Sequence, residues 1–274
     1  MNKIEINKLN KISKEIRGDI INYSYSSKAH HIGSELSSVE ILVTLYFDIM
    51  NINKKNIKDK SRDFFILSKG HAALVLYAVL SKKGFFKKSL IKNEFLKNGG
   101  RLGGHPDFNS VKGIECSSGS LGHALSTACG IALAKKMDKL NGRVFVLLGD
   151  GECNEGMIWE AALFASHHKL NNLIAIVDYN LIQGRGKTSE IINYKSLKNI
   201  FESFGWQSKV INGHEINQIQ KSMSLKNLKK PLVVIANTVK GKGIKNLENT
   251  LESHYYVIES EKDKIKILNE INNK

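Results

Sequence analysis

Four short, continuously apolar runs constrain the fold of this 274-residue chain more than any other feature of its sequence. Strands with one face in water alternate apolar and polar residues, whereas strands covered on both faces are apolar throughout. Segments with helical patterns separate the four runs, and this alternation predicts an α/β fold with a doubly wound, mostly parallel sheet and helices on both faces. The predicted strands are Phe64–Leu67, Val144–Leu148, Leu173–Val177, Leu232–Ala236 and a weaker fifth, Gln207–Ile211.

Helical patterns fill most of the sequence around these strands. Ser37 followed by Glu40 resembles a capping box at the start of the first one. No linker or shift in composition divides the chain, so we expect one domain over residues 1–274, with a helical segment at 1–60 and a charged helical tail at 255–274. The predicted helices are Ser38–Met50, His71–Lys83, Leu121–Lys139, Met157–Lys169, Tyr194–Phe204 and Ile216–Leu225.

The net charge of +15, from 41 basic and 26 acidic residues, is carried mainly by 36 lysines spread along the chain. Nucleic-acid readers favour arginine, whose planar guanidinium binds bases and phosphates with two parallel hydrogen bonds. We therefore interpret the lysines as solvated helix faces and expect no nucleic-acid partner, with a polyanion-binding surface as the alternative.

Three further features bear on the compartment. No run approaches the roughly 20 apolar residues of a membrane helix, so we expect no membrane span. The first 16 residues lack the apolar core of a signal peptide. The three cysteines are odd in number and never in CxxC spacing, which favours a reduced, cytoplasmic location.

Polar side chains follow two of the predicted strands where each strand ends. Asp150, within Gly149-Asp150-Gly151, follows one strand, and Asn180 follows the next one along the chain. Ligands of open parallel sheets bind beyond the carboxyl ends of the strands. Carboxylate and amide oxygens suit Mg²⁺, which often completes its shell with phosphate oxygens, and the glycines let backbone N–H groups approach a phosphate. The pair predicts a metal–diphosphate site, with a plain β-turn as the alternative.

Several histidines stand near glycines in predicted loops. No two have the i, i+4 spacing of a helical zinc site, and each alone is compatible with a surface position. As a group they indicate hydrogen bonding and proton transfer in one cleft. Cys153 lies beside the Gly-Asp-Gly loop without an evident base partner, so we do not expect it to be a nucleophile. The loop histidines are His31, His71, His105, His123, His214 and His254.

Taken in order, the motifs resemble those of transketolases, and more closely the separately encoded N-terminal subunit of a split transketolase. The resemblance runs from about residue 10 to about residue 255. It implies the diphosphate-binding domain of thiamine diphosphate enzymes and transfer of a two-carbon ketol unit from a ketose to an aldehyde acceptor. The motifs are Ser68-Lys69-Gly70-His71-Ala72, Gly103-Gly104-His105-Pro106, Gly119-Ser120-Leu121-Gly122, Gly149-Asp150-Gly151 with Glu155-Gly156, Asp178-Tyr179-Asn180 and Lys240-Gly241-Lys242-Gly243.

The resemblance also implies roles for individual residues. Asp150, Asn180 and the main-chain carbonyl of Ile182 would hold Mg²⁺. Gly151, His71 and His254 would contact the diphosphate of thiamine diphosphate. The remaining implied contacts are Gly119 and Leu121 beside the cofactor rings, Lys240 near the cofactor, His31, His105 and His254 facing the sugar hydroxyls and moving protons, and Glu155 in a carboxylate network at a subunit interface.

A partner chain is part of the same expectation. In this family the cofactor lies between two domains, and a glutamate of the pyrimidine-binding domain activates it. These 274 residues contain no such domain, so we expect a C-terminal subunit from a separate chain to supply it, with two copies of each chain in a heterotetramer.

Two classes of alternative remain open from the sequence. The chain could serve another thiamine diphosphate enzyme, such as a deoxyxylulose phosphate synthase-like protein or a 2-oxo acid decarboxylase or dehydrogenase, although its histidines fit a hydroxylated substrate better. It could also be a non-catalytic basic binding protein on the same fold. The donor and acceptor, as sugars or sugar phosphates, and the choice between central and specialised metabolism are not fixed by the sequence.

Overall fold

The computed structural model describes residues 3–225 and 227–273. None of the helices in these residues is long and apolar enough to cross a bilayer. The helices are α1 (Lys3–Ser27), α2 (Ile32–Leu36), α3 (Val39–Thr44, continued by a π-helical turn Leu45–Ile49), α4 (Ala73–Lys83), α5 (Ser89–Glu94), α6 (His123–Met137), α7 (Gly156–His167), α8 (Thr188–Ile191), α9 (Leu197–Ser203), α10 (Ile216–Met223) and α11 (Glu261–Asn272). Short 3-10 turns lie at Gly70–Ala72, Gly151–Asn154 and Glu252–His254.

The strands form one parallel five-stranded sheet and a small antiparallel hairpin. The order across the large sheet is β1-β2-β3-β7-β6, so the last strand in the chain lies inside the strand that precedes it. All five predicted strands are present. The large sheet consists of β1 (Phe64–Leu67), β2 (Val144–Gly149), β3 (Leu173–Tyr179), β6 (Gln207–Asn212) and β7 (Leu232–Asn237), and the hairpin of β4 (Ile182–Gln183) and β5 (Gly186–Lys187).

Helices cover both faces of the large sheet, which confirms the predicted fold class. Along each central strand the side chains alternate between two cores, although all of them are apolar, because both faces are covered. Phe145 and Leu147 face the core built with α1, α3, α4, α10 and α11. Val146 and Leu148 face the core built with α6, α7 and α9.

The predicted capping box at Ser37 is wrong. The N-cap of α3 is Ser38, with no side-chain capping bond. The Ser37 hydroxyl instead donates to Asp178 at 2.6 Å, and Glu40 pairs with Arg17. Buried charges on other elements therefore take the two side chains that a local cap would have used.

The two expected helical ends of the chain are only partly helical. The N-terminal segment is helical from Lys3 to Ile49, but residues 50–63 contain no helix. In the tail, helix α11 begins at Glu261, after an irregular stretch at 255–260. Helix α1 packs against α11, α3 and α4, so both ends of the described chain lie on the same face of the sheet.

Register places the polar strand ends side by side. Gly149 pairs with Asp178, and Asp178 with Ala236, so the residues that follow β2, β3 and β7 leave the sheet at one level. The carboxyl edge of the sheet therefore gathers the candidate functional residues.

Candidate functional site

A cavity of about 340 Å³ opens at this edge of the sheet. Segments that follow four strands contribute to its wall, together with the start of α2 and the turn at Glu252–His254. The cavity brings together eleven of the twelve residues singled out from the sequence, although their individual roles stay predictions. These eleven are His31, His71, His105, Gly119, Leu121, Asp150, Gly151, Asn180, Ile182, Lys240 and His254.

Asp150 is a buried carboxylate whose hydrogen-bond donors are all uncharged. One oxygen accepts from the Gly151 N–H at 2.8 Å. The other accepts from the Leu181 N–H at 2.7 Å and the Thr188 hydroxyl at 2.9 Å. Burial, and then the charge of Asp178, raise the pKa of Asp150, and these hydrogen bonds only partly oppose them. A bound cation would supply the compensating charge that this carboxylate lacks among the described residues.

The oxygens of Asn180 and Ile182 lie in the same cavity wall. The Asn180 amide nitrogen donates to Asp178 at 3.2 Å, which orients the side chain and leaves its oxygen on the other side, where it accepts from the Ile182 N–H at 3.2 Å. The Ile182 carbonyl accepts from the Lys240 ammonium at 2.7 Å, so this oxygen already faces a cation.

This donor set suits one kind of metal. Among the described residues there is no group of three or more His, Cys, Asp or Glu side chains that could hold an ion. One carboxylate, one amide oxygen and one main-chain carbonyl are hard oxygen donors, and they leave positions open for phosphate oxygens and water. The residues therefore fit Mg²⁺ bound together with a diphosphate better than they fit a zinc site.

Three histidines of the cavity contact one another. The ring of His31 lies 5.3 Å from that of His71 and 5.6 Å from that of His254. Burial, followed by the positive charges nearby, lowers the pKa of His31 to about 4 and that of His254 to about 3, and places that of His71 well below its usual value. At neutral pH all three are uncharged and can accept hydrogen bonds or a proton.

Lys240 connects the histidines to the oxygen cluster. Its buried ammonium lies 2.6 Å from His254 Nδ1 and donates to the Ile182 carbonyl. Burial, and then repulsion from Lys69, lower the pKa of Lys240 to about 8, while Asp150 and Asp178 oppose the shift. An anionic ligand in the cavity would strengthen the charged form of this lysine.

Glycines let the cavity wall approach its contents closely. Gly119 has φ of 141°, and a Cβ there would lie 2.9 Å from the His105 ring. A Cβ on Gly151 would lie 2.9 Å from the Gln183 side chain. Both positions are spaces that a larger residue would fill, which fits a ligand held against backbone.

Two acidic groups that organise this edge escaped the sequence reasoning. Glu152 accepts from the Gly122 N–H at 2.8 Å, the Gly149 N–H at 3.0 Å and the Ser68 hydroxyl, and so joins three of the loops. Asp178 forms a fully buried ion pair with Lys69 and accepts from the Thr238 hydroxyl. The only signal in the sequence was their position, since a carboxylate that ends or follows a fully covered strand needs a partner.

Three residues singled out from the sequence lie elsewhere. Glu155 is exposed at the start of α7, with its side chain next to Gly122, and does not line the cavity. His123 is exposed at the start of α6. His214 lies behind the cavity, bonded to Glu40, so the expectation of one cleft for all the loop histidines is wrong for these two. Cys153 is completely buried, and burial raises the pKa of its thiol well above the ordinary value, as a non-nucleophilic cysteine requires.

Comparison with known proteins identifies the family of domains that this chain resembles. Residues 9–270 match the family described as transketolase, thiamine diphosphate binding domain. One of the two subunits of the apulose-4-phosphate transketolase of Phocaeicola vulgatus is 40% identical over 248 residues, which cover 89% of this chain and 87% of that protein. The 6-deoxy-6-sulfo-D-fructose transketolase subunit SqwG of Clostridium sp. is 40% identical over 226 residues, covering 82% of each.

Solved transketolases have the same fold over most of this chain. A transketolase mutant from Pichia stipitis superposes with a TM-score of 0.86 at 27% identity, covering 94% of this chain and 40% of that one. The Leishmania mexicana enzyme gives 0.88 at 24% identity, covering 96% and 41%. The chain therefore spans about two fifths of these longer proteins.

Proposed function

The chain belongs to the transketolase family as its thiamine diphosphate-binding N-terminal part, and we propose that it is the cofactor-anchoring subunit of a two-chain transketolase. This transferase moves a two-carbon ketol unit from a ketose to an aldehyde acceptor. The observation that carries the proposal is the single cavity in which a buried carboxylate without a countercharge, two further oxygen donors and three neutral histidines meet.

In this proposal the oxygen cluster anchors the cofactor. Asp150, Asn180 and the Ile182 carbonyl hold Mg²⁺, and the Gly151 backbone and His71 contact the diphosphate. The uncompensated charge of Asp150 supports this assignment, since a divalent cation satisfies it directly. Lys240 adds positive charge on the same side, and Gly119 and Leu121 lie beside the cofactor rings.

Bound thiamine diphosphate supplies an electron sink for cleavage of the bond next to the ketose carbonyl. The protein holds and moves the protons. We assign His31, His105 and His254 to the hydroxyl groups of the sugar, and His254 to the diphosphate as well. Their support is the low pKa of His31 and His254, which leaves them neutral at pH 7 and able to accept a hydroxyl proton.

A partner chain completes the site in our proposal. The two relatives that are 40% identical are named as subunits, and the single-chain enzymes are more than twice as long. Large side chains exposed at the cavity mouth support coverage by that partner, since Leu181 is 50% and Tyr255 59% exposed. We propose a C-terminal, pyrimidine-binding subunit over the mouth, two copies of each chain, and Glu155 at an interface between chains. The cytoplasmic location remains a prediction.

The substrate is proposed by class alone. The names of the two relatives refer to apulose 4-phosphate and to 6-deoxy-6-sulfo-D-fructose, both of which are modified ketoses. A neutral histidine cluster fits the hydroxyl groups of such a donor, whereas pyruvate offers none next to its carbonyl. We therefore propose a ketose, or a ketose carrying a phosphate, as donor.

The test uses this chain together with its partner subunit. Calorimetry with thiamine diphosphate is run with and without Mg²⁺, and the complex is then offered ketoses, ketose phosphates or pyruvate. We expect Mg²⁺-dependent binding and two-carbon transfer from a ketose, with no turnover by either chain alone. Turnover of pyruvate would favour a decarboxylase or synthase, and a complex that binds no cofactor would favour a non-catalytic protein.

A further inference from the structure

A second buried network lies behind the cavity and ends at the segment that carries Lys240. Arg17 of α1 and Glu40 of α3 form a buried ion pair with two hydrogen bonds, one of them 2.8 Å long. His214, in the loop between β6 and α10, places its Nδ1 2.8 Å from the same carboxylate. We refer to these three residues as the Arg17–Glu40–His214 clamp.

The clamp holds the segment 239–242 at both ends. The Val239 N–H donates to His214 Nε2 at 2.9 Å. Three residues later, the Lys242 carbonyl accepts from Arg17 Nε at 3.2 Å. Lys240 lies between these two contacts, and its ammonium points the other way, into the cavity.

Hydrogen bonding fixes the proton on His214. Because Nε2 accepts from Val239, it carries a lone pair, and Nδ1 must then hold the hydrogen that is donated to Glu40. Burial alone would raise the pKa of Glu40, but the Arg17 charge and the bonds from His214 and Arg17 lower it to about 2. The carboxylate is therefore ionised at neutral pH and keeps the imidazole in one tautomer and one orientation.

Glycine packing leaves the segment little freedom to settle elsewhere. Gly241 has φ of 75°, and a Cβ there would lie 2.5 Å from the Leu247 carbonyl. The Gly241 N–H also donates to the Gly33 carbonyl, two residues from His31. The segment is thus pinned between the clamp and the wall of the cavity.

We propose that His214 is a positioning residue that sets the place of Lys240 through the Val239 N–H, with Arg17 and Glu40 fixing the imidazole. His214 touches neither the cavity nor its contents. The part of the proposal that concerns cofactor affinity rests on the proposed function, whereas the part that concerns the order of segment 239–242 does not.

A matched pair of variants separates positioning from simple charge balance. In His214→Asn the amide nitrogen takes the place of Nδ1 and can still donate to Glu40, but nothing reaches Val239. In His214→Gln the longer amide puts its oxygen near Nε2 and keeps the acceptor for Val239. If His214 only balances the charge of Glu40, His214→Asn is the milder change; if it positions the segment, His214→Gln is.

The first readout is backbone hydrogen exchange of this chain without cofactor. We expect the Val239 amide to exchange about tenfold faster or more in His214→Asn and within about threefold of the unmutated rate in His214→Gln. The second readout is the dissociation constant of Mg²⁺–thiamine diphosphate for the complex with the partner subunit. We expect it to rise about tenfold in His214→Asn, as for other residues that orient ligand-bearing groups, and less than threefold in His214→Gln.

A measurement without mutation tests the tautomer. Imidazole ¹⁵N shifts of His214 should show an unprotonated Nε2 and a protonated Nδ1, and a protonated Nε2 would overturn the inference. Equal exchange at Val239 in both variants would overturn it as well. If the unmutated complex binds no cofactor but His214→Asn still frees Val239, the positioning of the segment stands and the proposed function fails.

Discussion

Asp150 and Asp178 follow or end neighbouring strands, yet the protein treats the two carboxylates in opposite ways. Asp178 is paired with Lys69 and accepts bonds from Ser37 and Thr238. Burial would raise its pKa, but Lys69 and these bonds lower it. Asp150 has uncharged partners, and burial raises its pKa. One charge is satisfied inside the protein and the other is left for something that binds.

The same division separates the cavity from the clamp behind it. Glu40 is ionised and compensated by Arg17, whereas His31, His71 and His254 are kept neutral by burial. Environments that drive pKa values apart mark the groups set aside for chemistry. The clamp and the Lys69–Asp178 pair hold the sheet edge in place, and the cavity carries the unsatisfied groups.

The largest effect should come from breaking the compensated side. Lys69→Met leaves Asp178 buried without a countercharge, so we expect the free energy of unfolding to fall by about 3–5 kcal/mol. Urea denaturation at pH 7 measures it. The control is the double variant Lys69→Met/Asp178→Leu, which removes both charges and should recover at least half of the loss. A double variant no more stable than the single one would contradict this account of the pair.

The uncompensated side should respond in function more than in stability. Asp150→Asn removes the charge but keeps the shape, so we expect less than half of the stability loss of Lys69→Met. Loss of a direct ligand should weaken Mg²⁺-dependent binding of thiamine diphosphate by at least about 100-fold, more than loss of a residue that only orients a ligand. Calorimetry on the complex with the partner subunit measures it.

The matched control for this variant is Asp138→Asn, at an exposed carboxylate just after α6. It should leave both stability and cofactor binding unchanged. Unaltered cofactor binding in Asp150→Asn would remove the metal from this site.

Acidification should separate two buried groups of opposite sign. The pKa of His31 is lowered to about 4, so its contribution to stability is lost as the pH falls below about 6.5. Burial raises the pKa of Glu35 to about 8, so its protonated form stabilises the fold increasingly as the pH falls from 8. The two effects oppose each other, and the unmutated protein shows only their difference.

Single variants resolve that difference. Between pH 7 and pH 5, we expect His31→Asn to gain about 1 kcal/mol relative to the unmutated protein, after allowance for solvent screening of this half-buried ring. Glu35→Gln should lose about 2 kcal/mol over the same range. Urea unfolding at the two pH values measures both, and a shift of the same sign in both variants would contradict the assignment.

Sequence reasoning reached the strands and most of the cavity because both depend on local signals. Unbroken apolar runs such as Val144–Leu148 need cover on both faces, and parallel strands bring their carboxyl ends to one edge. Asp150 and Asn180 could thus be placed together without knowledge of anything between them.

The buried ion pairs were out of reach for a physical reason. Lys69 and Asp178 are 109 residues apart, and each alone resembles a solvated residue in a loop. The same long-range pairing misled the interpretation of Ser37 and Glu40, whose spacing matched a local cap. His214 was grouped with the cavity histidines because sequence gives the edge of the sheet but not which side of that edge a loop covers.

The smallest predicted effect concerns strain on the cavity side. Leu181, between the two proposed metal ligands Asn180 and Ile182, has φ of 66° and a side chain that is 50% exposed. A left-handed backbone costs leucine about 1 kcal/mol, and asparagine tolerates it better. We expect Leu181→Asn to stabilise the protein without ligand by up to about 1 kcal/mol. Leu163→Asn, at a similarly exposed leucine within α7, should instead destabilise it by about 0.5 kcal/mol through lower helix propensity. If both variants destabilise, Leu181 is not strained, and the cavity differs from the compensated regions behind it in charge alone.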